Sequence, residues 1–225
     1  MTMFSFKKFT VRQDLCAMKV GTDGVLLGAW ARGGNRILDV GTGTGLIALI
    51  MAQRCGECRV LAVDIDEGAV RQSVENVLAS PFAARIEVRQ AMVQQLLAQE
   101  VGRFDAVVCN PPFFISSLQA PDRRRTLARH AETLTYAELM QSADRLLDDK
   151  GELSVIVPFD YRRRMDDEAV FCGFFPSRVC GVRTTALKPV RRYLLAYRKK
   201  PCPCEHSEMV IGDASYQALT GDFYL

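Results

Sequence analysis

No apolar run in this 225-residue chain approaches the ~20 residues needed to span a bilayer; the longest, such as residues 46–52 (LIALIMA), fall well short. No apolar stretch follows Lys7 and Lys8 near the N-terminus, so no secretory signal is visible. The reading is a cytoplasmic protein without a membrane partner. Internal repeats, low-complexity tracts and long linkers are lacking as well. At 48% hydrophobic and 24% charged residues, the composition is that of an ordinary globule. Disorder, collagen-like repetition and coiled coil are thereby excluded as descriptions of the whole. The length suits one substantial domain and is too short for two of full size, so residues 1–225 are read as a single domain. A strong charge bias is lacking too: a net charge of +3 permits a nucleic-acid partner without demanding one.

Eight cysteines are present, but they are scattered over the whole length, unlike a disulfide framework packed into a small coreless domain. Cys55-Gly-Glu-Cys58 has the spacing of a redox or zinc pair. A four-thiolate site needs a second such pair. The candidate, Cys202-Pro-Cys204 with His206, has a one-residue gap unusual for zinc. Free thiols and no metal are expected.

What the chain does have is alternation. Short apolar runs at 36–40 (RILDV), 59–65, 85–89, 104–109 (FDAVVC) and 153–157 (LSVIV) read as buried strands. Helical spacing separates them at 45–54, about 67–79 and 135–147. A further helix near 160–174 precedes two strand-like runs at 178–183 and 193–198. Near-continuous Val/Ile/Leu strands joined by helices predict a parallel sheet covered on both faces. The two late strands predict an antiparallel hairpin closing one edge. The expectation is a doubly wound, mostly parallel seven-stranded α/β sheet. Such sheets bind ligands beyond the carboxyl ends of their strands, where strand order reverses.

The first strand ends in Asp39-Val-Gly41-Thr-Gly43-Thr-Gly45 and runs straight into a helix. Glycines there let backbone approach a ligand and offer N–H groups at a helix N-terminus. They fall at every second position, unlike the G-x-G-x-x-G dinucleotide fingerprint. Asp64 ends the second strand, where a carboxylate can accept from both hydroxyls of a ribose. A tight turn alone would explain the glycines but not the spaced acids. The combination resembles the S-adenosylmethionine site of Rossmann-like class I methyltransferases. That resemblance implies cofactor contacts from Asp39, Gly41, Gly43, Gly45 and Asp64, with Ile65 flanking the adenine. Asp66 is read as the cap of the helix that follows.

The fourth strand ends in Asn110-Pro111-Pro112-Phe113-Phe114. A stiff extended turn is the plain reading, since proline fixes φ and removes a donor. The same residues also suit methylation of an amino group. The exocyclic amine of a base is a poor nucleophile because its lone pair is delocalised. The Asn110 side-chain oxygen and the Pro111 carbonyl can accept its two N–H protons and aim the lone pair at a methyl donor, with Pro112 stiffening the turn. Phe113 offers a flat face for the target, a stack worth roughly 1–3 kcal/mol per base. Asn110 would then touch both cofactor and target.

Asn-Pro-Pro-Phe is shared by methyltransferases acting on adenine N6, guanine N2 and the glutamine amide of release factors. More discriminating are Phe9-Thr-Val, residues 16–30 (CAMKVGTDGVLLGAW), Arg103-Phe-Asp105, Ala128-Arg-His130, and 216–220 with 223–225. Together they make the chain resemble the bacterial valine-tRNA adenine N6-methyltransferase family over nearly its whole length. The resemblance implies a monomeric S-adenosylmethionine-dependent enzyme acting on tRNA, at the adenine beside the anticodon. It implies that residues 1–34 cover the cofactor, through Lys19, Val20, Gly21, Thr22 and Asp23. Thr22 and Asp23 also read as simple helix caps. Many relatives place an acid against the cofactor's adenine after the third strand; here Ala91 and Met92 hold that position, so either backbone atoms read the adenine or the cofactor is bound more weakly than usual.

Residues 115–133 lack periodicity, and a loop of that length in a compact domain is commonly functional. Its Arg123, Arg124, Arg125, Arg129 and His130, with Phe113 and Phe114, are the candidate RNA contacts, a solvated basic loop being the alternative. Further basic clusters fall at 162–164, 188, 191–192 and 198–200, which sequence alone does not assign to one face. A guanine-N2 rRNA enzyme and a glutamine methyltransferase are the alternatives within the reaction class, though each normally brings a second domain. A non-catalytic RNA-binding module on the same fold is the alternative outside it.

Overall fold

The computed structural model describes residues 2–16, 18–112 and 134–225. Its central sheet is assembled from the apolar runs. β3 (Arg36–Val40), β4 (Arg59–Asp64), β5 (Ile86–Gln90), β6 (Phe104–Cys109) and β7 (Leu147–Pro158) are parallel. β8 (Phe175–Arg183) and β9 (Arg192–Arg198) follow, then β10 (Glu205–Val210). The order across the sheet is β10-β8-β9-β7-β6-β3-β4-β5. β9 alone runs against its neighbours, pairing antiparallel with both β7 and β8.

The doubly wound, mostly parallel expectation is met, with two differences. The sheet has eight strands rather than seven, and β10, parallel to β8, lies outside the hairpin and forms the edge. The sequence of β10, Glu-His-Ser-Glu-Met-Val, is largely exposed, and an edge strand of this kind carries no apolar signature. β7 also begins six residues before the apolar run that revealed it, in the polar stretch Leu-Asp-Asp-Lys-Gly-Glu.

Alternation along the strands sends side chains to two faces. Ile37, Val60, Ala62, Ala106 and Val108 pack under α1 (Thr22–Trp30) and α2 (Leu46–Arg54), with the end of α3 (Glu67–Leu78). Leu38, Val40, Val63, Val107 and Val155 face a second layer. It is formed by α4 (Ala98–Val101), α5 (Tyr136–Leu146) and α6 (Arg162–Phe171). Gly28 lets α1 lie close on α2, since a Cβ there would come within 2.9 Å of the Ile50 side chain.

A short antiparallel ribbon, β1 (Met3–Ser5) and β2 (Thr10–Arg12), meets the last helix, α7 (Ala214–Thr220), at one flank. Phe6 stacks on Tyr224 at 5.9 Å, and Lys7 N–H donates to the Phe223 carbonyl at 2.8 Å. All eight cysteines are free thiols. Cys55 is held below its usual pKa by the Cys58 thiol and by the nearby Arg54 guanidinium. Among the described residues, no helix is long and apolar enough to cross a membrane.

Candidate active site

Strand order reverses at β3: the chain first builds outward through β4 and β5, then returns to β6 on the other side. The crevice over the carboxyl ends of β3 and β6 is therefore where a ligand is expected. The glycine turn lies there. Gly41, Gly43 and Gly45 have φ of 69°, 56° and 81°, a region costly for any residue with a Cβ. The alternating spacing is the signature of that backbone path. Gly41 and Thr42 N–H both donate to the Val63 carbonyl, at 2.9 and 3.0 Å, locking the turn to β4.

Two carboxylates brace it. Asp64 Oδ2 accepts from Gly43 N–H at 2.9 Å while its Oδ1 accepts from Asp66 N–H at 3.0 Å. Asp39 lies wholly buried below the turn, accepting from Thr42 Oγ1 at 2.6 Å and from Ala48 N–H at 3.1 Å. Burial, outweighing those hydrogen bonds, raises its pKa to about 7. Its Oδ1 has no partner among the described residues.

Above the turn opens a cavity of ≈ 690 Å³, well within the range of pockets that hold small molecules. It brings together Lys19, Thr22 and Asp23 from the α1 segment, Gly41 and Gly43 from the turn, and Asp64 with Ile65 from β4. Ala91, Met92, Asn110 and Pro112 complete the expected set. Asp39, Gly45 and Pro111 do not reach the lining: Asp39 is beneath the turn, Gly45 caps α2, and Pro111 is buried behind Asn110. Asp66 caps α3 as its spacing predicts, accepting from Ala69 N–H at 2.7 Å.

Thr22 and Asp23 are not caps. The N-cap of α1 is Gly21, without a side-chain bond, and both residues face the cavity. Asp23 Oδ2 also accepts from Arg192 Nε of β9 at 2.9 Å. Sequence reasoning missed Cys16, Met18, Gln94, Cys109 and Leu134, which line the cavity too. Cys109 was within reach, as the last residue of its strand; Gln94 enters on a single 3-10 turn and the others on irregular segments, with no period to betray them.

Asn110 follows β6, whose last residue, Cys109, pairs in register with Val40 at the head of the glycine turn. Its side-chain Oδ1 is buried and has no hydrogen-bond donor among the described residues. A buried acceptor left unmade is costly in a folded chain, and one bordering a cavity fits a ligand that donates. The neighbouring groups stay protonated: burial holds the Cys109 thiol well above its usual range and pushes the Tyr136 hydroxyl to about 12. Phe113, Phe114, Arg123, Arg124, Arg125, Arg129 and His130 lie outside the described residues.

The basic clusters separate onto two edges. Arg162–Arg164, Lys188, Arg191 and Arg192 belong to segments at the carboxyl ends of the parallel strands. Arg198, Lys199 and Lys200 end the reversed strand β9 at the opposite edge, where Arg198 meets Glu152 at 3.1 Å and Lys199 meets Asp144 at 3.4 Å.

A sheet of this order, a glycine turn at its switch point and a cavity over it define a Rossmann-like methyltransferase. The methyltransferase small domain family matches residues 20–170. A predicted O-methyltransferase of Agrobacterium tumefaciens has the same fold, with a TM-score of 0.70 at 18% identity over 89% of this chain and 96% of that one. The chain belongs, more narrowly, to the tRNA1(Val) (adenine(37)-N6)-methyltransferase family. It is 44% identical to the Parabacteroides distasonis member, covering 99% of this chain and 97% of the relative. Its identity to the Bacteroides thetaiotaomicron member is 42%, with the same coverage of both. Membership implies dependence on S-adenosylmethionine.

Proposed function

We propose that this chain transfers a methyl group from S-adenosylmethionine to N6 of an adenine in tRNA, the adenine at position 37 of a valine tRNA. The observation that carries the reading is the buried, unpartnered Oδ1 of Asn110 at the end of β6, bordering the cavity. The family name of the relatives supplies the base and the tRNA. The cavity's donor set fits the cofactor: Asp64 accepts from the ribose hydroxyls, Gly41 and Gly43 bring backbone close, and Ile65 flanks the adenine. Lys19 and the uncapped first turn of α1 receive the carboxylate end, since helix N-termini favour anions. When bound, S-adenosylmethionine supplies an electrophilic methyl group on a sulfonium.

Asn110 Oδ1 accepts an N–H proton of the target amine, favouring a tetrahedral nitrogen whose lone pair is free to take the methyl group. No base has to act first, because the amine loses its proton after attack. This agrees with the surroundings: Cys109 and Tyr136 are held protonated, and Asp39 is shut beneath the turn. Catalysis is then orientation with fixed dipoles. A tRNA substrate puts the enzyme in the cytoplasm.

The test is methyl transfer from labelled S-adenosylmethionine into total tRNA from cells lacking the activity, followed by digestion and mass resolution of the nucleosides. N6-methyladenosine from one tRNA species is the expected product. Label in rRNA or protein instead would overturn the substrate while leaving the cofactor chemistry standing.

A further inference from the structure

One strand away from Asn110, the same edge of the sheet carries an exposed aromatic with no role in packing the core. β7 runs in register with β6, Val155 opposite Cys109, so Phe159 lies just beyond the level at which Asn110 leaves its strand. Phe159 is 51% exposed. Its ring stacks on Tyr193 of β9, with centroids 5.9 Å apart and planes inclined by 28°. The Arg162 guanidinium sits over the Tyr193 ring at 4.5 Å. Phe159 N–H donates to the Arg191 carbonyl at 3.1 Å, which ties the backbone just after β7 to that just before β9, while the ring itself is held by Tyr193.

This block is joined to the cavity on both flanks. Arg192 bridges to Asp23 of the cavity rim. On the other side Arg164 lies 5.9 Å over the Tyr136 ring, two residues from Leu134 of the cavity wall. Two of the acids here are engaged, Asp23 by Arg192 and Asp166 by the Tyr197 hydroxyl at 2.6 Å and by Arg162, while Asp160 beside Phe159 is exposed. A single exposed aromatic is ordinary on a protein surface. An exposed ring held rigid, backed by a second ring and flanked by arginines is the arrangement that binds an unpaired base with its phosphates.

We propose that Phe159, backed by Tyr193 and flanked by Arg162 and Arg191, is a stacking platform for the unpaired nucleotide next to the methylated adenine. The inference rests on the reading of this chain as an RNA adenine methyltransferase. Drawing one base of a loop into a cavity removes the stacking partner of its neighbour. Phe159 replaces that partner, and Arg191 meets the phosphate. Because every base has a π-face, such a platform orients the loop without reading its sequence.

The experiment compares full-length variants with a valine tRNA transcript as the probe. Phe159→Ala is expected to raise KM for tRNA about tenfold, with S-adenosylmethionine KM and melting temperature unchanged. Phe159→Trp keeps the ring and stays near wild type, whereas Phe159→Leu, apolar but not planar, behaves like alanine. Arg191→Ala reduces the slope of log Kd against log salt by about one phosphate contact. Phe171→Ala, an exposed aromatic at the far end of α6, and Lys200→Glu, on the opposite edge, leave all these values unchanged. Methylation by wild type with unaltered tRNA KM in Phe159→Ala would overturn the platform and leave the function standing. Equal behaviour of the Leu and Trp variants would overturn stacking as its basis. A wild type that neither binds nor methylates tRNA would overturn both.

Discussion

Asn110 and Asp39 show how much one polar atom does when burial isolates it. At Asn110 the acceptor meets no donor among the described residues, so its contribution should fall on the transition state rather than on stability. Asn110→Ala is expected to lower kcat by about a hundredfold, the scale of losing one preorganised polar contact, with S-adenosylmethionine affinity by calorimetry falling far less. Asn110→Asp keeps an acceptor in place and should retain more activity than the alanine variant. Wild-type turnover in Asn110→Ala would remove Asn110 from the chemistry.

At Asp39 the same isolation acts on the proton. Burial raises its pKa from 3.8 to about 7, so across that window the folded chain keeps a proton that the unfolded chain has released. The stability from this group is complete below about pH 4 and is lost as pH rises through about 7. In Asp39→Asn the amide never ionises, while its oxygen can still accept from Thr42 and Ala48. The stability of wild type relative to this variant should therefore fall between about pH 4 and 7 and stay level above. Thermal midpoints across that range test it; a constant gap would mean that Asp39 titrates as an exposed carboxyl does.

At the scale of elements, the glycine turn converts dihedral angles into a binding surface. A Cβ built on Gly43 meets no protein atom within 4 Å, so backbone strain alone opposes a side chain there. Gly43→Ala is expected to cost about 1–2 kcal/mol of stability from the left-handed conformation. It should also weaken S-adenosylmethionine binding, because the methyl group projects from a turn that lines the cavity. Unfolding by denaturant and calorimetric titration separate the two effects. If affinity is unchanged, the turn serves the fold and not the ligand.

This turn was legible in the sequence because its glycines report a backbone path. The strands β3, β4 and β6 were legible because both of their faces are buried, which leaves continuous apolar runs with sharp ends. β10 pairs on one side and exposes most of its side chains; β1 and β2 are three residues each. Those elements are held by tertiary contacts, which no local period records. Gln94 and Met18 escaped notice for the same reason, Gln94 reaching the cavity on a single 3-10 turn (Val93–Gln95) and Met18 on an irregular segment.

At the scale of the whole molecule, the two ends of the chain form one structure that bears on the site from a distance. The β1–β2 ribbon, α7 and the residues after it stack through Phe4, Phe6, Tyr216 and Tyr224, with the Lys7 ammonium on the Gly221 carbonyl at 2.6 Å. α7 packs against α1, and the segment that opens α1 supplies Lys19, Thr22 and Asp23 to the cavity. This links the family-like stretches at opposite ends of the sequence, which periodicity alone left unrelated. Phe223 is buried in the cluster shared with α1. Phe223→Ala should cost about 3 kcal/mol, the usual scale for emptying a buried phenylalanine site. If the termini also hold α1 over the cavity, the variant binds S-adenosylmethionine more weakly. Cofactor at 100 times the variant's Kd should then raise the variant's stability by about 2.7 kcal/mol and that of wild type, which binds more tightly, by more. Melting curves with and without cofactor, beside calorimetric affinities, decide the point. Lost stability with wild-type affinity would make the clasp a staple for the fold alone, whereas loss of both would make the chain ends part of the cofactor site.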